Sequence, residues 1–124
     1  MLRPISVNSC SLHSFEGLRE AIQGSHVEVM QLGRGKFSGS LSHVGIEDFS
    51  LSIGSFSVGV RAQRVATDDK LIVGMLLSAQ DRVTHWSFDM RPADVLVIPP
   101  RAEHDSVFHG ASAYAAIRLD LADV

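Results

Sequence analysis

Features that mark membrane, secreted and disulfide-bonded proteins are missing from this sequence. Cys10 is its single cysteine, so no disulfide can form within the chain. No apolar run approaches the roughly 18 residues that a membrane-spanning helix requires, and residues 1–8 lack the apolar segment of a secretory signal. The sequence therefore predicts a cytoplasmic protein with no membrane partner.

Clustered positive charge is also missing. Lys and Arg number 11 against 14 Asp and Glu, which gives a formal net charge of −3, and the cations are scattered singly. Phosphate contacts need clustered cations. Nucleic-acid binding by this chain alone is therefore not expected.

Arrangements of residues that carry catalysis are scarce. The chain has no Gly-x-Ser-x-Gly elbow, and its six histidines include no His-x-His or His-x-x-x-His pair. Glu103 and His104 are adjacent, but neighbours on a strand point to opposite faces. We therefore predict no catalytic residue, no metal site and no cofactor. A metal-dependent enzyme that uses His104 stays open as an alternative.

The sequence does contain many short alternating apolar runs separated by Gly, Ser, Asp or Pro. About nine such strands are expected, and this spacing is typical of an all-β sandwich or barrel. We predict one domain over residues 1–124, with an extended arm at 1–13, a short helix at 14–24 and a barrel at 27–121. Ser14 is the expected helix N-cap and Gly24 its stop.

Two apolar runs predict strands that are buried on both faces. They are Leu71–Leu77 and Val95–Ile98, and the second lies between an Arg91–Asp94 turn and Pro99-Pro100. Opposite the apolar positions of other strands, serine and glycine recur. These small residues either form a solvated face or line an interior space. They are Ser38, Gly39, Ser40, Ser50, Ser52, Ser55, Ser57 and Gly59.

The stretch from Met90 to Asp105 resembles the second conserved motif of the cupin superfamily. Asp94, Pro99 and His104 stand at matching offsets, whereas Ala93 and Arg101 occupy positions where cupins usually have glycine. The first cupin motif is missing, because residues 59–75 contain no histidine, and three of the usual four metal ligands have no counterpart. The resemblance implies a cupin-like (RmlC-like) double-stranded β-helix or jelly-roll barrel, but not its metal.

A string of short patterns over residues 14–121 looks like the cupin-like effector-binding and dimerisation domain of AraC-type transcription regulators. The resemblance implies a non-enzymatic domain that binds a small-molecule effector and forms a homodimer. Members carry two helix-turn-helix units after the barrel, and this chain ends at Val124, which predicts either a domain of a longer regulator or a stand-alone relative. A purely structural dimerisation module is a further alternative. The predicted ligand-binding residues are Phe56, Arg61, Met75, Trp86 and His104, with Arg61 as an anchor for an anionic ligand.

Overall fold

The computed structural model describes residues 5–12, 27–32, 35–46, 49–65, 70–100 and 102–120. These residues form strands and turns without a helix, so no helix long and apolar enough to cross a membrane is found among them. The strands are β1 (Ile5–Leu12), β2 (Val27–Leu32), β3 (Gly39–Ile46), β4 (Phe49–Phe56), β5 (Gly59–Val65), β6 (Lys70–Ala79), β7 (Val83–His85), β8 (Phe88–Met90), β9 (Val95–Ile98), β10 (Glu103–Phe108) and β11 (Ser112–Asp120).

The strands form two antiparallel sheets. The first sheet has six strands in the order β1-β3-β4-β11-β6-β9, and the second has five in the order β2-β5-β10-β7-β8. The all-β prediction is confirmed. The predicted arm contains β1, which pairs along its whole length with β3. The predicted helix at 14–24 lies outside the described residues.

Two local features of the strands follow from single residues. A turn at Trp86, whose φ of 52° is incompatible with a continuing strand, separates β7 from β8. Gly54 lies inside β4. The Tyr114 ring covers Gly54, since a Cβ built on that glycine would lie 2.6 Å from Cε1 of the ring. A glycine here serves close packing and not a turn.

The core lies between the sheets, because its members come from both. Phe37, Phe56 and Val60 are its buried centre, with relative exposures of 4%, 7% and 1%. Phe56 packs edge to face on Phe108 at 5.1 Å between ring centroids, a favoured aromatic geometry. Partly buried apolar side chains complete the cluster: Val29, Leu41, Val58, Phe108 and Tyr114.

The prediction that β6 and β9 are buried on both faces is wrong for the single chain. In β6, Leu76 is 2% exposed, whereas its neighbours Met75 and Leu77 are 39% and 42% exposed. β9 is the last strand of the first sheet, and Val97 on it is 56% exposed. Each strand therefore buries one face, and the apolar residues of the other face lie at the surface.

Candidate functional site

Strand alternation determines which side chains of the first sheet point toward the second sheet. Leu41, Gly54, Tyr114 and Leu76 are register partners across four neighbouring strands. Leu41 and Tyr114 belong to the core cluster, and Leu76 is buried, so this row faces inward. Residues two positions along each strand face the same way. The next inward row therefore contains His43, Ser52, Ala116 and Gly74, and the row beyond it contains Arg118.

The second sheet supplies inward side chains by the same rule. Val60, Phe108 and Val83 are register partners, and the first and last are 1% and 2% exposed. Two residues further along, Ser106 pairs with His85, which is 2% exposed. The next inward position on β10 is His104.

The interior therefore has an apolar end, formed by the core cluster, and a part that mixes polar side chains with apolar ones, since the Arg118 row also contains buried Ile72 and Ile98. Each of two histidines in this second part pairs with a serine. His43 Nδ1 lies 3.0 Å from Ser52 Oγ, and His85 Nδ1 lies 2.9 Å from Ser106 Oγ. The His85 and His104 rings stack at 5.3 Å between centroids. We call these inward groups the interior polar set: His43, Ser52, His85, His104, Ser106 and Arg118.

Gly74 lies in the same inward row as His43 and Ser52. A Cβ built on Gly74 would meet one described atom within 4 Å, the Ala115 carbonyl oxygen at 3.8 Å, which is an ordinary van der Waals distance. A Cβ built on Gly54 would lie 2.6 to 2.8 Å from atoms of the Tyr114 ring. Gly74 therefore has room for a small side chain, whereas Gly54 does not.

Burial favours the neutral form of His85. Desolvation lowers the pKa of His85 below its ordinary value, and the nearby Asp105 carboxylate opposes this only in part. His85 is therefore neutral near pH 7. A neutral imidazole can donate one hydrogen bond and accept another, so the pair of His85 with Ser106 is adaptable to a ligand hydroxyl or carbonyl.

Comparison with known proteins identifies the architecture. No protein-family model and no curated protein matches the sequence. An RmlC-like cupin from Shewanella frigidimarina superposes with a TM-score of 0.53 at 14% identity, and the match covers 78% of this chain and 86% of the Shewanella chain. A predicted oxalate decarboxylase from Thermotoga maritima superposes with a TM-score of 0.53 at 13% identity, and the match covers 79% of this chain and 95% of the decarboxylase chain. The fold is that of a cupin.

A regulator shares this cupin fold. The AraC-like transcriptional activator CuxR superposes with a TM-score of 0.60 at 14% identity, over 91% of this chain and 47% of its own. The chain thus spans about half the length of CuxR. At such identities the similarity shows the fold alone.

The metal that accompanies many cupins does not fit the donors present here. Among the described residues, no group of three or more His, Cys, Asp or Glu side chains is placed to hold a metal ion. His104 faces inward on β10 while its neighbour Glu103 is exposed, so the adjacent pair does not converge. No chemical step is therefore assigned to a metal.

The cupin motif residues instead shape a turn. The Ala93 backbone N–H donates to the Leu76 carbonyl at 2.8 Å, and the Arg91 N–H donates to the Asp94 carboxylate at 2.9 Å. Ala93 has a φ of 75°, in the left-handed region that favours glycine. Alanine is therefore strained at this position.

Three of the five predicted ligand residues lie in or next to the interior. His104 belongs to the interior polar set, and Phe56 faces inward but packs within the core cluster. Trp86 is 56% exposed, and its ring lies 5.0 Å from that of His85. Trp86 therefore stands at the rim, between the interior and solvent.

The other two predicted ligand residues, Arg61 and Met75, face outward from the sheets. Arg61 is the register partner of Met30, which is 59% exposed, and alternates with buried Val60. Its guanidinium donates two hydrogen bonds to the Asp105 carboxylate, at 2.7 and 3.1 Å, and these lower the pKa of Asp105. Met75 lies on the outer face of the first sheet. Neither position suits a residue that contacts an interior ligand.

Most of the interior polar set is not apparent from the sequence. The histidines at positions 43 and 85 are 42 positions apart, and only strand pairing brings such residues to one interior. A signal was present at Ser52, one of the small residues opposite apolar positions. Of that group, Ser52 faces inward, whereas Ser40 and Ser55 face outward and pair with each other at 2.9 Å.

Proposed function

We propose that this chain is a small-molecule sensing and dimerisation domain, related to those of AraC-type transcription regulators, and not an enzyme. One observation carries the sensing role: histidine and serine side chains that bond one another face the interior, beside Gly74, where a Cβ would meet no described atom closer than 3.8 Å. The similarity of 91% of the chain to part of an AraC-like activator supports the same assignment.

The interior polar set indicates the chemistry of the ligand. Histidine and serine pairs can exchange their mutual hydrogen bonds for bonds to ligand hydroxyl groups. Arg118 adds a cation at an inward position, and its Nε is a buried atom. Guanidinium groups bind carboxylates well. We therefore propose a small polyhydroxylated or carboxylate-bearing ligand, with His104 as a hydrogen-bonding wall and Trp86 at the entrance.

A thermal-shift screen of small acids and sugars tests this proposal. A ligand at 100 times its dissociation constant stabilises the folded chain by about 2.7 kcal/mol, which corresponds to several degrees in Tm. We expect His104→Ala to reduce this shift, and Gly74→Phe to abolish it by filling the available space. His109→Ala is the matched control, because His109 is exposed in the β10–β11 turn, and it should leave the shift unchanged.

The same preparation separates the alternatives. Stoichiometric metal in the purified protein, lost on His104→Ala, would replace this proposal with a metal-dependent cupin enzyme. A dimer that no compound stabilises would indicate a purely structural module. Circular dichroism of each variant before the screen ensures that a lost shift reflects lost binding and not unfolding.

A further inference from the structure

The outer face of the first sheet concentrates exposed apolar side chains. Ten large hydrophobic residues of the described chain are exposed. Three of them, Met30, Trp86 and Phe88, belong to the second sheet or its turn. The other seven lie on the outer face of the first sheet, called here the apolar face: Val7 (67%), Phe49 (39%), Ile53 (43%), Met75 (39%), Leu77 (42%), Val95 (55%) and Val97 (56%).

Five of these seven side chains lie in two rows of outward apolar residues that cross the strands. In one row, register partners run through all six strands of the sheet. A second row, two residues further along, runs through the four strands from β4 to β9. The first row is Val7, Val44, Leu51, Ile117, Val73 and Val97, and the second is Ile53, Ala115, Met75 and Val95.

The apolar face has no charged residue at its described outward strand positions. Charged side chains normally protect sheets that face solvent. Hydroxyl groups border the face on one side, where Ser9 pairs with Ser42 at 3.0 Å and Ser40 pairs with Ser55 at 2.9 Å. An apolar centre with a neutral polar border is the usual composition of a protein interface.

The sequence of β6 and β9 independently indicates a covered face. Their continuous apolar runs are typical of strands buried on both faces, yet the single chain buries only one face of each. Monomeric proteins rarely expose contiguous apolar patches larger than a few hundred Å². The pattern therefore matches an assembly in which something lies against the apolar face.

We propose that the apolar face binds the same face of a second copy of this chain. This deepens the dimerisation part of the proposed function by naming the surface. At ~4.8 Å between strands and ~3.3 Å per residue, the six strands, which have from 4 to 10 residues each, cover roughly 750 Å² per copy. Two copies bury roughly 1,500 Å² if the whole face is used, which is the size of a stable interface. An uncharged face also meets its own copy without repulsion across a twofold axis.

Sedimentation equilibrium on the full chain, from about 1 to about 300 µM, tests the interface. The wild type should have twice the 13.4 kDa mass of one chain. Ile53→Lys and Val97→Lys should each raise the dimer dissociation constant by about 100-fold or more, since each places two cations in an apolar contact. Met30→Lys is the matched control, because Met30 is 59% exposed on the other sheet, and it should leave the dimer intact.

A second measurement does not depend on the folding of the lysine variants. In wild-type protein with labelled methionine methyl groups, the Met75 signal should change with concentration and the Met30 signal should not. A monomer throughout the range, which is what a segment of the same chain covering the face would produce, overturns the proposal. A dimer that survives both lysine substitutions, or dissociates on Met30→Lys, also overturns it. Ligand-induced stabilisation of the Ile53→Lys monomer would show that ligand binding in the interior does not depend on dimer formation.

Discussion

Ala93→Gly should stabilise this protein, although glycine usually weakens a fold. Ala93 has a φ of 75°, and a left-handed conformation costs a residue with a Cβ about 1–2 kcal/mol. Glycine removes that strain but makes the unfolded chain more flexible, which costs about 0.5–1 kcal/mol. The Ala93 side chain is exposed, so its methyl group contributes no buried contact. The expected net gain in the free energy of unfolding is about 0.5–1 kcal/mol.

Urea unfolding measures this gain. With an m-value of about 2 kcal/mol/M, the midpoint should rise by about 0.3–0.5 M. Ala102→Gly is the matched control: Ala102 is not among the described non-glycine residues with positive φ, so the same exchange there should lower stability by about 0.5–1 kcal/mol. Equal destabilisation by both substitutions would refute the assignment of strain to the Arg91–Asp94 turn.

Two further predictions concern the interior. Gly54→Ala should lower the free energy of unfolding by about 1–3 kcal/mol, because its Cβ would lie 2.6 Å from the Tyr114 ring. Gly74→Ala should have little effect, because its Cβ would have its nearest described neighbour at 3.8 Å. Equal losses of stability in urea unfolding would contradict this difference in packing. Burial lowers the pKa of His85 below 6.5, so the unfolded chain takes up a proton before the folded chain does. The contribution of His85 to stability is complete above its unfolded pKa and decreases as pH falls from there toward the lowered pKa. His85→Asn should flatten this part of a stability-against-pH curve, and a curve unchanged from that of the wild type would speak against a buried neutral His85.

Local chemistry made the strands predictable from the sequence. The alternation in β2 and β4, and the Arg91–Asp94 turn before β9, follow from residue types that act within a few positions. The error at β6 and β9 has a physical cause. A continuous apolar run indicates that both faces of a strand are buried, but it does not show whether the second face is covered by the same chain or by another molecule.

The candidate site was less predictable because it depends on pairing between distant strands. His85 and Ser106 meet only through the register of β7 with β10. The sequence also does not show which face of β5 carries the Arg61 side chain, since a shift of one residue in register moves every side chain of a strand to the opposite face. Once the register is known, alternation alone separates inward His104 from outward Arg61 and Met75.

Histidine ring NMR during titration with the most stabilising compound of the thermal-shift screen tests the sensing role most directly. If the ligand binds in the interior, the ring signals of His43, His85 and His104 should shift together with a single dissociation constant, while that of exposed His109 should stay constant. The Trp86 fluorescence of this single-tryptophan chain should change over the same concentrations. Shifts confined to His109, or no shift at any ring, would contradict an interior binding site.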